Sequence, residues 1–185
     1  MLYKNILPFK ITLGLCFIFL IVIFICTKKG LTINITASYP LGIYQNQKIT
    51  NMVDSKNKLV LVCPDPNNLA IIAATENNIL PIGSGCGTWG FAPLLKKLVG
   101  FPGDIITATP QGILINNNYL KNSEIKFKIF ELLVKPGYKH TLKPSEYWVM
   151  SDYNPNSFDS RYIGPVEASQ IIKETEPLIT IKNNK

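Results

Sequence analysis

Three short segments hold the side chains best suited to covalent chemistry: 36–44 (TASYPLGIY), 94–104 (LLKKLVGFPGD) and 156–165 (NSFDSRYIGP). A serine hydroxyl is a weak nucleophile and needs a neighbouring base. The lone histidine, His140, sits in the polar stretch GYKHTLKP, and no GxSxG motif exists, so a Ser-His-Asp hydrolase is not indicated. The base can instead be a lysine amine kept neutral. A free lysine titrates near ~10.4, leaving roughly one in a few thousand unprotonated at pH 7. Moving it to ~7–8 requires about 3 pH units, roughly 4 kcal/mol of differential solvation, which burial supplies by penalising the charged form. The apolar run LLKKLV is the place for such a lysine. Lys96 and Lys97 compete for the role. On a strand their side chains point to opposite faces, so only one can meet Ser38. Asp159 and Arg161 stand two apart and would share one strand face. A bidentate guanidinium–carboxylate contact explains why arginine is used here and lysine elsewhere.

Other motifs carry less. Residues 85–90 (GCGTWG) match GxGxxG, but Pro93 and the break at 100–103 (GFPG) leave no helix to open on a dinucleotide. Asn34-Ile35-Thr36 is a glycosylation sequon by pattern only. Two domain cysteines and one distant histidine are a poor metal set, so neither metal nor cofactor is expected. The net charge of +7 comes from 18 Lys and one Arg, spread without a dense basic stripe. That argues against nucleic acid and for a basic protein beside a membrane.

The elements that must position these residues follow an apolar run. Residues 11–27 carry no charge and span roughly 26 Å as a helix, with Lys10, Lys28 and Lys29 able to snorkel to the interfaces. No small-x-small site follows, so an uncleaved transmembrane anchor is expected over 11–27, with 1–10 on one side and one domain over 30–185 on the other. Flanking lysines nearly balance, so the positive-inside rule leans only weakly to a cytoplasmic N-terminus. The domain reads as mainly β. LTINITA, GIYQNQKI, KLVLVC, IITATPQGILIN and EYWVM alternate or are β-branched, and Pro110-Gln111-Gly112 marks a hairpin turn. One short helix is expected over 68–77, capped by Asp65 or Asn67. The IKNNK tail is expected to fray. Cys16 and Cys26 fall in the anchor. Cys63 and Cys86 are either a disulfide bracketing the helix, in an oxidising compartment, or two free thiols.

In order and behind one anchor, the three segments resemble the membrane-bound signal peptidases that use a Ser/Lys dyad, the S26 family, and most closely its conjugative-transfer TraF branch. The resemblance implies a signal-peptidase-like β-domain with a short helix behind one transmembrane helix. Counting back from Gly100 and Pro102-Gly103-Asp104, it makes Lys96 the base and Ser38 the nucleophile. It implies that the Ser38 N–H and the Thr36 hydroxyl stabilise the oxyanion, that Ser157 orients the amine, and that Asp159 and Arg161 buttress the site. Gly100, Gly103 and Gly164 are expected at turns. The domain then lies on the outer, periplasmic side of the bacterial cytoplasmic membrane, which favours the Cys63–Cys86 disulfide. The partners implied are the lipid bilayer and a membrane-embedded precursor, a pilin or another preprotein. Pro40 sits two residues after Ser38, where general signal peptidases usually have it three after, and 104–151 leaves little room for a large accessory β-domain. Both favour pilin maturation, in some relatives with cyclisation through the acyl-enzyme, over a general signal peptidase. A non-catalytic scaffold of a secretion channel is the reading from another class.

Overall fold

The computed structural model of the protein describes residues 11–17, 30–126 and 134–181. Residues 11–17 are helical, and most of the expected anchor, with Lys10, Lys28 and Lys29, lies outside the described residues. Among the described residues no helix is long and apolar enough to cross a membrane. Of the IKNNK tail, Ile181 closes the last strand and the rest lies outside them.

The domain is mainly β, as its alternation implies. A seven-stranded antiparallel sheet runs in the order β1 (Leu31–Asn34), β2 (Leu41–Gln47), β11 (Ile171–Ile181), β3 (Leu59–Val62), β4 (Leu94–Gly100), β9 (Glu146–Met150) and β10 (Val166–Glu167). A flat sheet would hold β2 and β4 about 14 Å apart. The turn after β1 nonetheless bonds to β4 and to the end of β9, through Ser38 and Tyr39, so the sheet curls round on itself. That curl brings residues 58 positions apart into contact.

A second, four-stranded sheet orders β7 (Asn118–Tyr119), β6 (Gly112–Ile115), β5 (Ile105–Thr109) and β8 (Lys139–Thr141). It fills the short 104–151 segment. The β5–β6 hairpin turns at Pro110-Gln111, with Thr109 opposite Gly112, where the motif places it. β9 joins the two cores. Its Tyr147 and Val149 face the larger core, with Val60, Leu94 and Leu98. Its Trp148 and Met150 face the smaller, with Ile106 and Ile113. A strand buried on both faces reads as an unbroken apolar run, which EYWVM nearly is.

Two local expectations change. The helix spans Leu69–Glu76, and its cap is Asn68, whose side chain accepts from the Ala70 N–H; Asp65 instead accepts from the Asn67 N–H in the turn before it. Gly103 does take a turn conformation, at φ +90°. Gly100 lies within β4, where a Cβ would come 2.6 Å from that of Trp148, so close packing rather than a turn requires glycine there.

Cys63, just past β3, is joined to Cys86 across 23 residues, with Cα atoms 5.4 Å apart. The bond ties residues 77–93, which build one wall of the cleft described below, to the end of the sheet. Closing a loop of this length restricts the unfolded chain by about 3 kcal/mol. Reduction, or Cys63→Ala with Cys86→Ala, is expected to lower stability by about 2–3 kcal/mol. The urea midpoint with and without reductant measures it; an unchanged midpoint contradicts the expectation.

Candidate active site

Ser38 lies half-buried in the β1–β2 turn, a turn organised by Asn34. The Asn34 amide donates to the carbonyls of Thr36, Tyr39 and Pro40 at 3.0–3.1 Å. Its Oδ1 accepts from the Thr36 N–H at 3.1 Å and the Thr36 hydroxyl at 2.8 Å. One side chain thus stands in for the ladder bonds that a tight turn loses. The sequon Asn34 is consequently only 6% exposed.

Lys96 and Lys97 do point to opposite faces of β4. Lys96 lies on the core face between Leu94 and Leu98, 2% exposed, and its Nζ is 2.7 Å from Ser38 Oγ. Lys97 lies on the other face and pairs with Asp152, which also accepts from the Tyr39 hydroxyl at 2.9 Å. Burial pushes the Lys96 amine down to about 8; Asp159 pulls it back up and Arg161 adds a smaller downward push. At pH 7 about a tenth of such amines are neutral, some hundreds of times more than for a free lysine. The dominant cause is desolvation, the physical route anticipated from its apolar neighbours.

The 150–161 segment surrounds the pair. Ser157 is buried, and its hydroxyl donates to Ser38 Oγ at 3.3 Å, to the serine oxygen rather than to the amine. Asp159 and Arg161 are fully buried and pair in the two-pronged manner expected, Nε to Oδ1 and Nη2 to Oδ2, each at 2.8 Å. They are not on a strand, however. Asp159 caps the one-turn helix Ser160–Ile163, accepting from the Arg161 N–H. The guanidinium also donates to the carbonyls of Asn122, Pro155 and Ser157 at 2.7–3.0 Å, tying the second sheet's edge to the site loop. A lysine ammonium lacks the planar fork for this many fixed directions.

Sequence reasoning passed over Ser151 and Asn154, which hold the backbone of the Ser38 turn: the Ser151 hydroxyl donates to the Ser38 carbonyl and the Asn154 amide to that of Ala37. Nothing in their spacing marks them, because each grips a main-chain atom more than 110 residues away. His140 lies on β8 and meets Glu146, within the second sheet's surroundings. The GCGTWG stretch forms a single 3-10 turn over Gly87–Trp89. Among the described residues no three His, Cys, Asp or Glu side chains gather as a metal site would need.

A cleft of about 170 Å³ opens on Ser38 and Lys96, walled by Ile79, Leu80, Pro81, Pro93 and Phe158. Thr36, Asn154, Asn156 and Ser157 add polar groups to its lining beside Ser38 and Lys96. A hydroxyl against a buried, partly neutral amine can accept an acyl group from a carbonyl laid in such a cleft.

Residues 5–179 of this curled antiparallel β-protein match the family described as signal peptidase, peptidase S26, and the chain belongs to that family. Among curated proteins it is similar to a plasmid transfer protein TraF of Escherichia coli, 31% identical over 82% of this chain and 84% of that one. It is also similar to a conjugal transfer protein TraF of Agrobacterium fabrum, 29% identical over 82% and 83%. A solved signal peptidase I of Enterococcus faecalis overlaps 68% of this chain and 95% of its own, at 17% identity and a TM-score of 0.33.

Proposed function

We propose that this protein is a membrane-anchored serine endopeptidase that matures a precursor protein, a conjugative pilin, with Ser38 as nucleophile and Lys96 as general base. The observation that carries the reading is the 2.7 Å contact between Ser38 Oγ and an Nζ that burial brings down to about 8. Neutral Lys96 takes the hydroxyl proton as Ser38 Oγ attacks the scissile carbonyl. The resulting ammonium returns a proton to the leaving amine, and an acyl-serine ester remains. Water, or the amino terminus of the substrate itself, then releases the acyl group; both acceptors suit an ester. Ser157, bonded to the attacking oxygen, holds that oxygen in line with the amine. The Ser38 N–H faces the developing oxyanion, joined by the Thr36 hydroxyl once it turns from Asn34. The similarity to TraF proteins supports a pilin as substrate. Residues 11–27 spanning the cytoplasmic membrane, with 30–185 on its outer face, put the cleft where exported chains emerge and the disulfide where it can form.

The test is co-expression, in membranes, of this protein with the pilin precursor encoded nearest to it, followed by intact mass of the product. Processing by the wild type and none by Ser38→Ala is expected. A product one water lighter than the linear mature chain means cyclisation. Equal processing by both proteins would overturn the assignment of Ser38. If the pilin stays intact while a general secretory precursor is cleaved, the substrate half of the proposal falls and the chemistry stands.

A further inference from the structure

We infer that Ser151 and Asn154 are positioning residues that clamp the two peptide groups flanking Ser38 and thereby fix the direction of the Ser38 N–H. The clamp stands on geometry alone; its catalytic consequence rests on the Ser/Lys reading above. Asn154, 8% exposed, donates from Nδ2 to the Ala37 carbonyl at 3.0 Å. That carbonyl and the Ser38 N–H belong to one trans peptide, whose C=O and N–H point in opposite directions. Holding the oxygen therefore aims the hydrogen away from Asn154. On the other side of Ser38, the fully buried Ser151 hydroxyl donates to the Ser38 carbonyl at 2.6 Å. With both flanking peptides held, the backbone dihedrals of Ser38 have little freedom left.

The clamp is itself braced. The Ser151 oxygen accepts from the Tyr153 and Asn154 N–H groups at 3.2 and 3.1 Å, which with its own donated bond fills the capacity of a hydroxyl. The Ser151 N–H donates to Asp159 Oδ2 at 3.0 Å, and Asn154 Oδ1 accepts from the Asn156 N–H at 2.9 Å. A continuous path of hydrogen bonds thus runs from Arg161 through Asp159 and Ser151 to the Ser38 main chain. Oxyanion donors act by being aimed before the reaction, and a displacement of about 1 Å costs about 10²-fold.

The experiment compares the full-length wild type with Asn154→Asp, Ser151→Ala and Ser151→Thr. Asn154→Asp keeps an acceptor for Asn156 but sets a carboxylate oxygen against the Ala37 carbonyl and adds a negative charge to the cleft, so the kinetic and pH readouts are taken from Ser151→Ala, which changes no charge. Amide hydrogen exchange over residues 34–40 reads the clamp without any substrate. Cleavage of the pilin precursor gives kcat, KM and the pH midpoint. Expected are exchange at 34–40 at least about tenfold faster in Asn154→Asp and Ser151→Ala, with the remaining strands unchanged. In Ser151→Ala kcat should fall about 10–100-fold while KM and the pH midpoint hold, and Ser151→Thr should recover most of the loss. Unchanged exchange at 34–40 overturns the clamp. In Ser151→Ala, a kcat loss accompanied by a moved KM and pH midpoint overturns the positioning role, because it reports a general collapse of the site. If wild type and Ser38→Ala treat the precursor alike, the peptidase reading fails by itself, and exchange still decides the clamp.

Discussion

Lys96→Ala is expected to lower kcat/KM for precursor cleavage by about 10²–10⁴-fold, the range a general base contributes, whereas Lys97→Ala stays within about tenfold. The two residues are adjacent, equal in charge and on one strand, so the contrast isolates geometry. Lys96 Nζ is within hydrogen-bond reach of Ser38 Oγ, while Lys97 pairs with Asp152 on the far face, at partial exposure. An ion pair of that kind contributes about 0–1 kcal/mol, and its loss reaches the site indirectly, as through Tyr39, which shares Asp152. The base must be neutral to act, so wild-type kcat/KM is expected to rise with pH through a midpoint near 8, where burial holds the Lys96 amine. An exposed lysine would place that midpoint near ~10.4. Equal losses at the two lysines would sink the strand-face argument. A profile flat between pH 6 and 9 would remove the lysine base altogether.

Where a side chain acts with its immediate neighbours, the sequence showed it; where the partner is a distant main-chain atom, it did not. Opposite faces for Lys96 and Lys97 follow from the two-residue period of a strand, and the apolar LLKKLV context carries the depressed amine directly. The hairpin at Pro110-Gln111 and the helix over Leu69–Glu76 were legible for the same local reason. Asp159 and Arg161 do form a pair, but on a helix cap. Two residues apart is close enough for contact in either geometry, so spacing could not separate strand from cap. β11 escaped notice although it sits in the middle of the sheet between β2 and β3. IIKETEPLITI lacks a buried alternation, and Pro177, which cannot donate to the ladder, is accommodated where the register shifts beside it. The Thr36 hydroxyl illustrates the same limit. Its type and position suit an oxyanion donor, yet its proton is directed at Asn34, a partner that only the path of the turn reveals.

Lys96→Met is expected to make the protein more stable than the wild type by about 3 kcal/mol at pH 6–7, with the advantage vanishing as pH rises toward ~10.4. The folded amine titrates at about 8, below its unfolded value near ~10.4. Between those values the unfolded chain binds the extra proton, so wild-type stability climbs with pH in that window. Below about 8 the folded state must either bury a charge or hold an unprotonated amine against its preference, and the whole cost is present. Methionine fills similar space without a titrating group, and every other ionisable residue is common to the two proteins, so the difference between their urea-unfolding free energies isolates Lys96. A difference that falls steadily from pH 8 to 10 carries the signature of a lysine desolvated in the native state. A difference independent of pH would mean that the amine keeps its ordinary affinity for the proton. The neutral fraction on which Ser38 depends would then be no larger than in a free lysine, and the dyad would lose its base even though the two side chains touch.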